Sequence, residues 1–140
     1  MKDHLTLIDS DIFIDILKRK SPTYERGLQY LKEYGAFNIS CLTYYECLRG
    51  YKAVKATKKL AIFEQVIQTA NIYYIDDLII QKASELYAFL RPKGLFRGEF
   101  DLMIGTTALI NDFTLITNNE KHYKPMQEHF DLRVENWSKH

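Results

Sequence analysis

Apolar and polar positions change their period repeatedly along the chain, and each change marks an element. Leu5-Thr6-Leu7-Ile8 is a strand-type run that stops at Asp9-Ser10-Asp11, after which Ile12, Phe13, Ile16 and Leu17 recur at helical spacing. This predicts a strand feeding straight into a helix. A second helix is expected from about Thr23 to Tyr34, closed by Gly35, with Leu28 and Leu31 on its inner face. Phe37 to Ser40 reads as a strand. Thr43-Tyr44-Tyr45-Glu46 then opens a helix, because Thr followed three residues later by Glu forms a capping box. Along that helix Cys47, Leu48, Tyr51 and Val54 share one face, and Glu46, Arg49 and Lys52 another.

Leu60, Phe63, Val66 and Ile67 form the stripe of a helix ending near Ala70, and Asn71 to Ile75 is β-branched and aromatic, hence a strand. Asp77 is the expected cap of a helix carrying Ile80, Ala83, Leu86, Tyr87 and Leu90. A loop from Arg91 to Gly98 leads into Glu99 to Ile110, a helix with two carboxylates in its first turn and an almost wholly apolar or small body. A helix that apolar belongs in the core. Phe113 to Thr117 is a strand ending in Asn118-Asn119. A short segment with Lys121, His122 and Tyr123 follows, and Leu132 to Val134 is the last strand before Trp137. Strands alternating with helices predict an α/β fold, a mainly parallel central sheet flanked by helices.

Composition narrows this only a little. The 140 residues fit a single domain over 1–140, and a formal net charge of +1 gives no case for a nucleic-acid partner by itself. Cys41 and Cys47 lack metal-site spacing and read as small core residues in a reducing compartment. Asp9, Asp11 and Asp15 interrupt the first apolar run, which argues against a signal peptide or membrane span and makes the cytoplasm the default.

The chemistry lies in the acids. Asp9 falls where the first strand ends, on the edge where open α/β sheets bind ligands, although a helix cap at Asp9 or Ser10 is the plainer reading of the turn taken alone. Glu46 is explained by its capping box, a role that leaves an oxygen free for a metal. Asp101 is either a cap or a metal ligand. If the three turns converge they form an oxygen-only cage, which suits Mg2+ or Mn2+ rather than zinc, and such a cation can activate water against a phosphodiester. The stripe of Arg49, Lys52 and Lys55 and the loop bearing Arg91, Lys93 and Arg97 would then track phosphates; the plainer reading is two solvated faces. Phe96 is a candidate to stack on a base or to pack locally, and His122 reads as a structural hydrogen-bonding residue.

Four segments, in order, resemble the PIN-domain ribonucleases, specifically the VapC-type toxins of toxin–antitoxin pairs. They are Leu7 to Asp15, Ile39 to Gly50, Phe100 to Leu109, and Leu115 to Tyr123 with the ending Leu132 to Trp137. In the third segment Gly105-Thr106 stands where Ala-Ala is more usual. The resemblance covers almost the whole chain and implies a PIN-like three-layer sandwich. It implies that Asp9, Glu46 and Asp101 ligate Mg2+, with Glu99 as an accessory acid. Asn118 and Asn119 stand where many members carry a further acid, so Asn119 would ligate as an amide or orient water. Ser10, Asp11, Thr117 and Asn118 would support the ligands from behind. The implied reaction is metal-dependent hydrolysis of single-stranded RNA, in a homodimer blocked by a small antitoxin.

Two other readings compete. Asp9-Ser10-Asp11 after an apolar strand resembles a haloacid-dehalogenase phosphatase, but that leaves Glu46 and Asp101 without a role. A non-catalytic module that binds RNA or regulates is the second.

Overall fold

The computed structural model describes residues 5–140, so the polar lead-in Met1 to His4 lies outside the described residues. In chain order the elements are β1 (Thr6–Ile8), α1 (Ser10–Leu17), α2 (Thr23–Tyr34), β2 (Asn38–Ser40), α3 (Cys41–Ala53) and α4 (Thr57–Ile67). They continue with β3 (Asn71–Tyr73), α5 (Asp77–Leu90), α6 (Glu99–Ile110), β4 (Thr114–Ile116), α7 (Glu120–Phe130) and β5 (Val134–Glu135). Every strand pair is parallel: β1 with β4, β4 with β5, and β2 with β3. Leu7 stands opposite Leu115, and Ile8 opposite Ile116.

No ladder joins β1 to β2, and side chains fill that gap. The Thr6 amide donates to the Tyr30 hydroxyl at 3.1 Å, and the Asn38 amide donates to the Thr6 carbonyl at 3.0 Å. Asn71 in turn donates to the Asn38 side-chain oxygen at 3.0 Å. Buried edge groups that would otherwise lack partners are thus satisfied.

Alternation along the short strands sends neighbouring residues to opposite faces. Leu7 and Leu115 enter a cluster with Ala83, Leu86 and Leu90 of α5, Leu102, Ile104 and Ala108 of α6, and Tyr123 and Met126 of α7. Ile8 and Ile116 enter a second cluster with Ile12, Phe13 and Ile16 of α1, Tyr30 of α2, Cys47 of α3 and Phe63 of α4. The result is the expected three-layer α/β sandwich. Because the sheet is parallel, its C-terminal strand ends gather on one edge. Asp9 follows β1 there, and Thr117 follows β4.

Several helix details differ from the sequence expectation. Helix α3 begins at Cys41, capped by Ser40, whose hydroxyl accepts from the Leu42 amide at 3.1 Å. There is accordingly no capping box at Thr43. Its hydroxyl is buried without a hydrogen-bond partner, and Glu46 sits in the second turn. Asp76, not Asp77, caps α5 by accepting from the Ile79 amide, and Ile79 replaces Ile80 on the buried face. On α2 the buried positions are Thr23, Gly27 and Tyr30, while Leu28 faces solvent; Val54, past the end of α3, is exposed as well. The segment after Asn119 is a full helix, α7, which runs through Pro125.

Candidate active site

The chain turns out of β1 at Asp9, whose amide donates to the Ile116 carbonyl at 2.9 Å, so the carboxylate is fixed at the strand-end edge. One oxygen accepts from the Ser10 amide at 2.9 Å and the other from the Thr117 hydroxyl at 2.8 Å. Asp9 therefore caps α1 and still faces the edge. It is buried, and burial pushes its carboxyl up to about 7; the negative charges of Asp11 and Asp101 push the same way, against the hydrogen bonds from Thr117 and Ser10. A buried acid opposed by other acids is a poor structural element. It is a good seat for a divalent ion.

The remaining residues of this edge are tied to one another. Ser10 donates from its hydroxyl to Glu46 at 2.6 Å, joining α1 to the middle of α3. Asp11, its carboxyl also raised by burial, accepts from the Asn118 amide at 3.1 Å. The Asn119 amide donates to the Thr117 hydroxyl at 3.0 Å, so Thr117 relays the turn after β4 onto Asp9.

Asp101 is not a helix cap: Gly98 is the N-cap of α6, with no side-chain cap, and Asp101 lies in the first turn. Its carboxylate is instead clasped by α7, with His122 Nδ1 at 2.6 Å and the Tyr123 hydroxyl at 3.2 Å. At that separation the imidazole donates to the carboxylate. The Asn119 side-chain amide lies 3.0 Å from the same nitrogen. Burial first, then the charges of Asp9 and Asp101, hold the Tyr123 phenol well above its ordinary range, so it remains a donor. Gly105 packs close by this clasp. A Cβ there would lie 2.6 Å from Met126 Sδ, so only glycine lets α7 approach α6 without displacing that side chain. Asp101 and Gly105 are one turn apart on α6, as His122 and Met126 are on α7.

His122 and Tyr123 are the functional residues that the sequence reading missed in this role. The available signal was their position, early in a helix that follows the strand end carrying Thr117. Glu99 opens α6 nearly opposite Asp101 on the helix and lines a shallow pocket with Ser84 and Tyr87 of α5. It is not brought to the other acids' partners.

The basic candidates divide. Arg49 sits against Phe100, beside Asp101, and Arg97 lines the same small cleft as Asp101 and His122 while donating to the Gly94 carbonyl at 3.0 Å. Lys93 lies 3.8 Å from the ring centroid of Phe89, which packs on His129 and Phe130 at the far end of α7. Lys52, Lys55 and Arg91 are exposed. Phe96 packs edge-on against Tyr87 at 5.1 Å. Cys47 is buried, its thiol pushed up to about 12 by burial and then by Glu46 and Asp9, so no thiolate chemistry is available there.

Among the described residues, no three acidic, histidine or cysteine side chains close around one point. The acids share a field at the edge rather than a complete cage. That donor set fits a cation such as Mg2+, which is held by one or two carboxylates and keeps several waters for substrate oxygens to replace.

Residues 6–125 match the PIN domain family. Among curated proteins the chain is similar to the ribonuclease VapC1 of Methanocaldococcus jannaschii, 33% identical over 128 residues that cover 91% of this chain and 85% of that protein. It is also similar to the ribonuclease VapC2 of Rickettsia felis, 27% identical over 143 residues, covering 95% and 98%. Among solved structures, VapBC-1 from nontypeable Haemophilus influenzae superposes with a TM-score of 0.81 at 25% identity, covering 96% of this chain and 99% of that one. VapBC2 from Rickettsia felis, bound to a DNA fragment from its promoter, gives 0.79 at 23% identity, covering 95% and 98%. No described helix is long and apolar enough to cross a membrane.

Proposed function

The chain belongs to the PIN-domain family and, within it, to the VapC ribonucleases, and from that premise we propose that it is a Mg2+-dependent endoribonuclease. Its substrate is single-stranded RNA, and it acts in the cytoplasm as the toxin of a VapBC-type pair. The observation that carries the metal dependence is Asp9: a carboxylate buried at the strand-end edge and repelled by Asp11 and Asp101. The names of its relatives support ribonuclease activity, and the VapBC complexes among its structural neighbours support an antitoxin partner. Assembly as a homodimer belongs to the same proposal.

A bound Mg2+ or Mn2+ would polarise the phosphodiester and lower the pKa of the attacking water. Asp9 and Asp101 would hold it, with Glu46 placed to ligate directly or to orient water. The protein's own part is positional. Thr117 and the Ser10 amide fix both oxygens of Asp9. His122 and Tyr123 fix Asp101, and Ser10 fixes Glu46. Asn119 steadies the turn that carries Thr117 and stands beside His122. Arg49 and Arg97, at the mouth, would engage phosphates on either side of the scissile bond; Lys52, Lys55, Arg91 and Lys93 would add a longer-range field.

The test is cleavage of single-stranded RNA with Mg2+, with Mn2+ and with chelator, by the parent and by Glu46→Gln and Asp101→Asn. Metal-dependent cleavage that both folded variants lose is expected. Cleavage unaffected by chelator, or equal in all three proteins, would contradict the proposal. RNA binding without cleavage would leave the non-catalytic module as the reading.

A further inference from the structure

Beside the acids, α3 and α6 present aromatic surface: Tyr45 is half exposed, and Phe100 is partly buried against the core. We infer that Tyr45, Arg49 and Phe100 form a stacking platform for one unpaired base of the RNA, next to the phosphodiester that the acids face. The inference rests on the ribonuclease reading. Tyr45 and Arg49 are one turn apart on α3 and so share a face. The Arg49 guanidinium lies 4.9 Å from the Tyr45 ring centroid and 5.8 Å from that of Phe100. The two rings are 6.2 Å apart and inclined at 63°. The platform bridges the two helices at the residues that immediately precede Glu46 and Asp101.

Exposure separates this group from the other aromatics near the sheet edge. Phe13 and Phe63 are fully buried, and Phe96 is engaged with Tyr87. Tyr45 remains 50% exposed, and the Arg49 guanidinium covers part of its ring. A nucleobase offers a flat π-face to the tyrosine and a following phosphate to the guanidinium, the two chemistries that this pair combines. Stacking of this kind tolerates any base and favours those with the larger face. The platform would therefore give a purine preference at one position without reading a sequence.

The experiment compares three fluorescent ten-nucleotide probes of equal charge: oligo(A), oligo(U) and an abasic ribose-phosphate chain. Binding is measured by anisotropy in chelator, and cleavage of oligo(A) and of a mixed-sequence RNA with Mg2+ is followed in parallel. In the parent, oligo(A) should bind roughly 5- to 150-fold more tightly than the abasic chain, the span expected for one stacked base. Tyr45→Ala should remove that ratio while binding the abasic chain as the parent does. Tyr45→Phe should restore it, and Arg49→Ala should weaken all three probes. If the parent cleaves RNA and Tyr45→Ala keeps the parent's ratio, the platform is not a base site and the ribonuclease reading stands. The platform then serves a protein contact, and Tyr45→Ala would alter only inhibition by the antitoxin. If the parent neither binds nor cleaves any RNA, the ribonuclease reading falls and this inference with it.

Discussion

Phe13 has no exposed surface and meets Phe37 and Phe63 edge-on, each ring centroid 6.0 Å away. Four residues earlier, Asp9 is 8% exposed, and what surrounds it includes two other acids that raise its pKa. Both lie at the start of α1, and both are out of water. Burial of the phenyl ring removes apolar area from solvent and fills space that its neighbours match. Burial of the carboxylate instead leaves a charge that two hydrogen bonds only partly compensate. The molecule is therefore stabilised by its two apolar clusters and strained at the edge between them. The strain marks where a cation would bind.

Predictions that probe this contrast begin with the core. Phe13→Ala should lower stability by about 3–5 kcal/mol, a large part of the total for a domain of this kind, as read from urea melts. Activity per folded molecule should change little. At the edge the balance reverses: Thr117→Val removes the hydroxyl that positions Asp9 and should weaken Mn2+ binding by roughly 10- to 100-fold in calorimetric titration, with a much smaller effect on the melt. If the melt falls as far as for Phe13→Ala, the edge is structural after all.

The pH dependence has a definite sign. The folded-state pKa of Asp9 lies at about 7, above its ordinary value of 3.8. Its favourable contribution is therefore complete below the ordinary value and is lost as pH rises through 7. Asp11, raised by burial, acts in the same direction. Metal-free protein should lose stability from pH 4 to 7.5, and Mg2+ should raise the melting temperature more at pH 7.5 than at pH 5.5, with proton release on binding. An equal metal effect at both pH values would break the link between Asp9 and the cation. The smallest effect is expected far from the edge: Asp76→Ala removes the α5 cap, costing about 1 kcal/mol in the melt and nothing in cleavage.

Much of this was legible in the sequence because the strands are short and apolar and each ends abruptly. Asp9 after Leu7-Ile8 follows from that pattern alone, as does a strand over Leu115-Ile116; the part of Thr117 in supporting a ligand came from the family resemblance. The start of α3 did not, because Ser40 and Thr43 are both good cap residues, and tertiary packing, which buries Thr43, chose the first. On α2 Leu31 packs on the second cluster as expected, but Leu28 was misassigned because Gly27 and Tyr30 carry the buried contact, and a glycine has no apolar signal. Pro125 and the polar composition of α7 hid a whole helix, and with it the clasp of His122 and Tyr123 on Asp101. That clasp is a long-range contact between α6 and α7, which no local pattern encodes.

The most direct single test is Asp9→Asn, with cleavage of single-stranded RNA and the metal-free melting temperature measured on the same preparation at pH 7.5. Asparagine keeps the acceptor for the Ser10 amide and removes the charge. Cleavage should fall by more than about 100-fold, beyond the range for groups that only orient a ligand, while stability rises by at least about 1 kcal/mol, or about 3 °C. A variant that melts lower and still cleaves RNA would show that Asp9 is a structural cap and would contradict the metal site built around it.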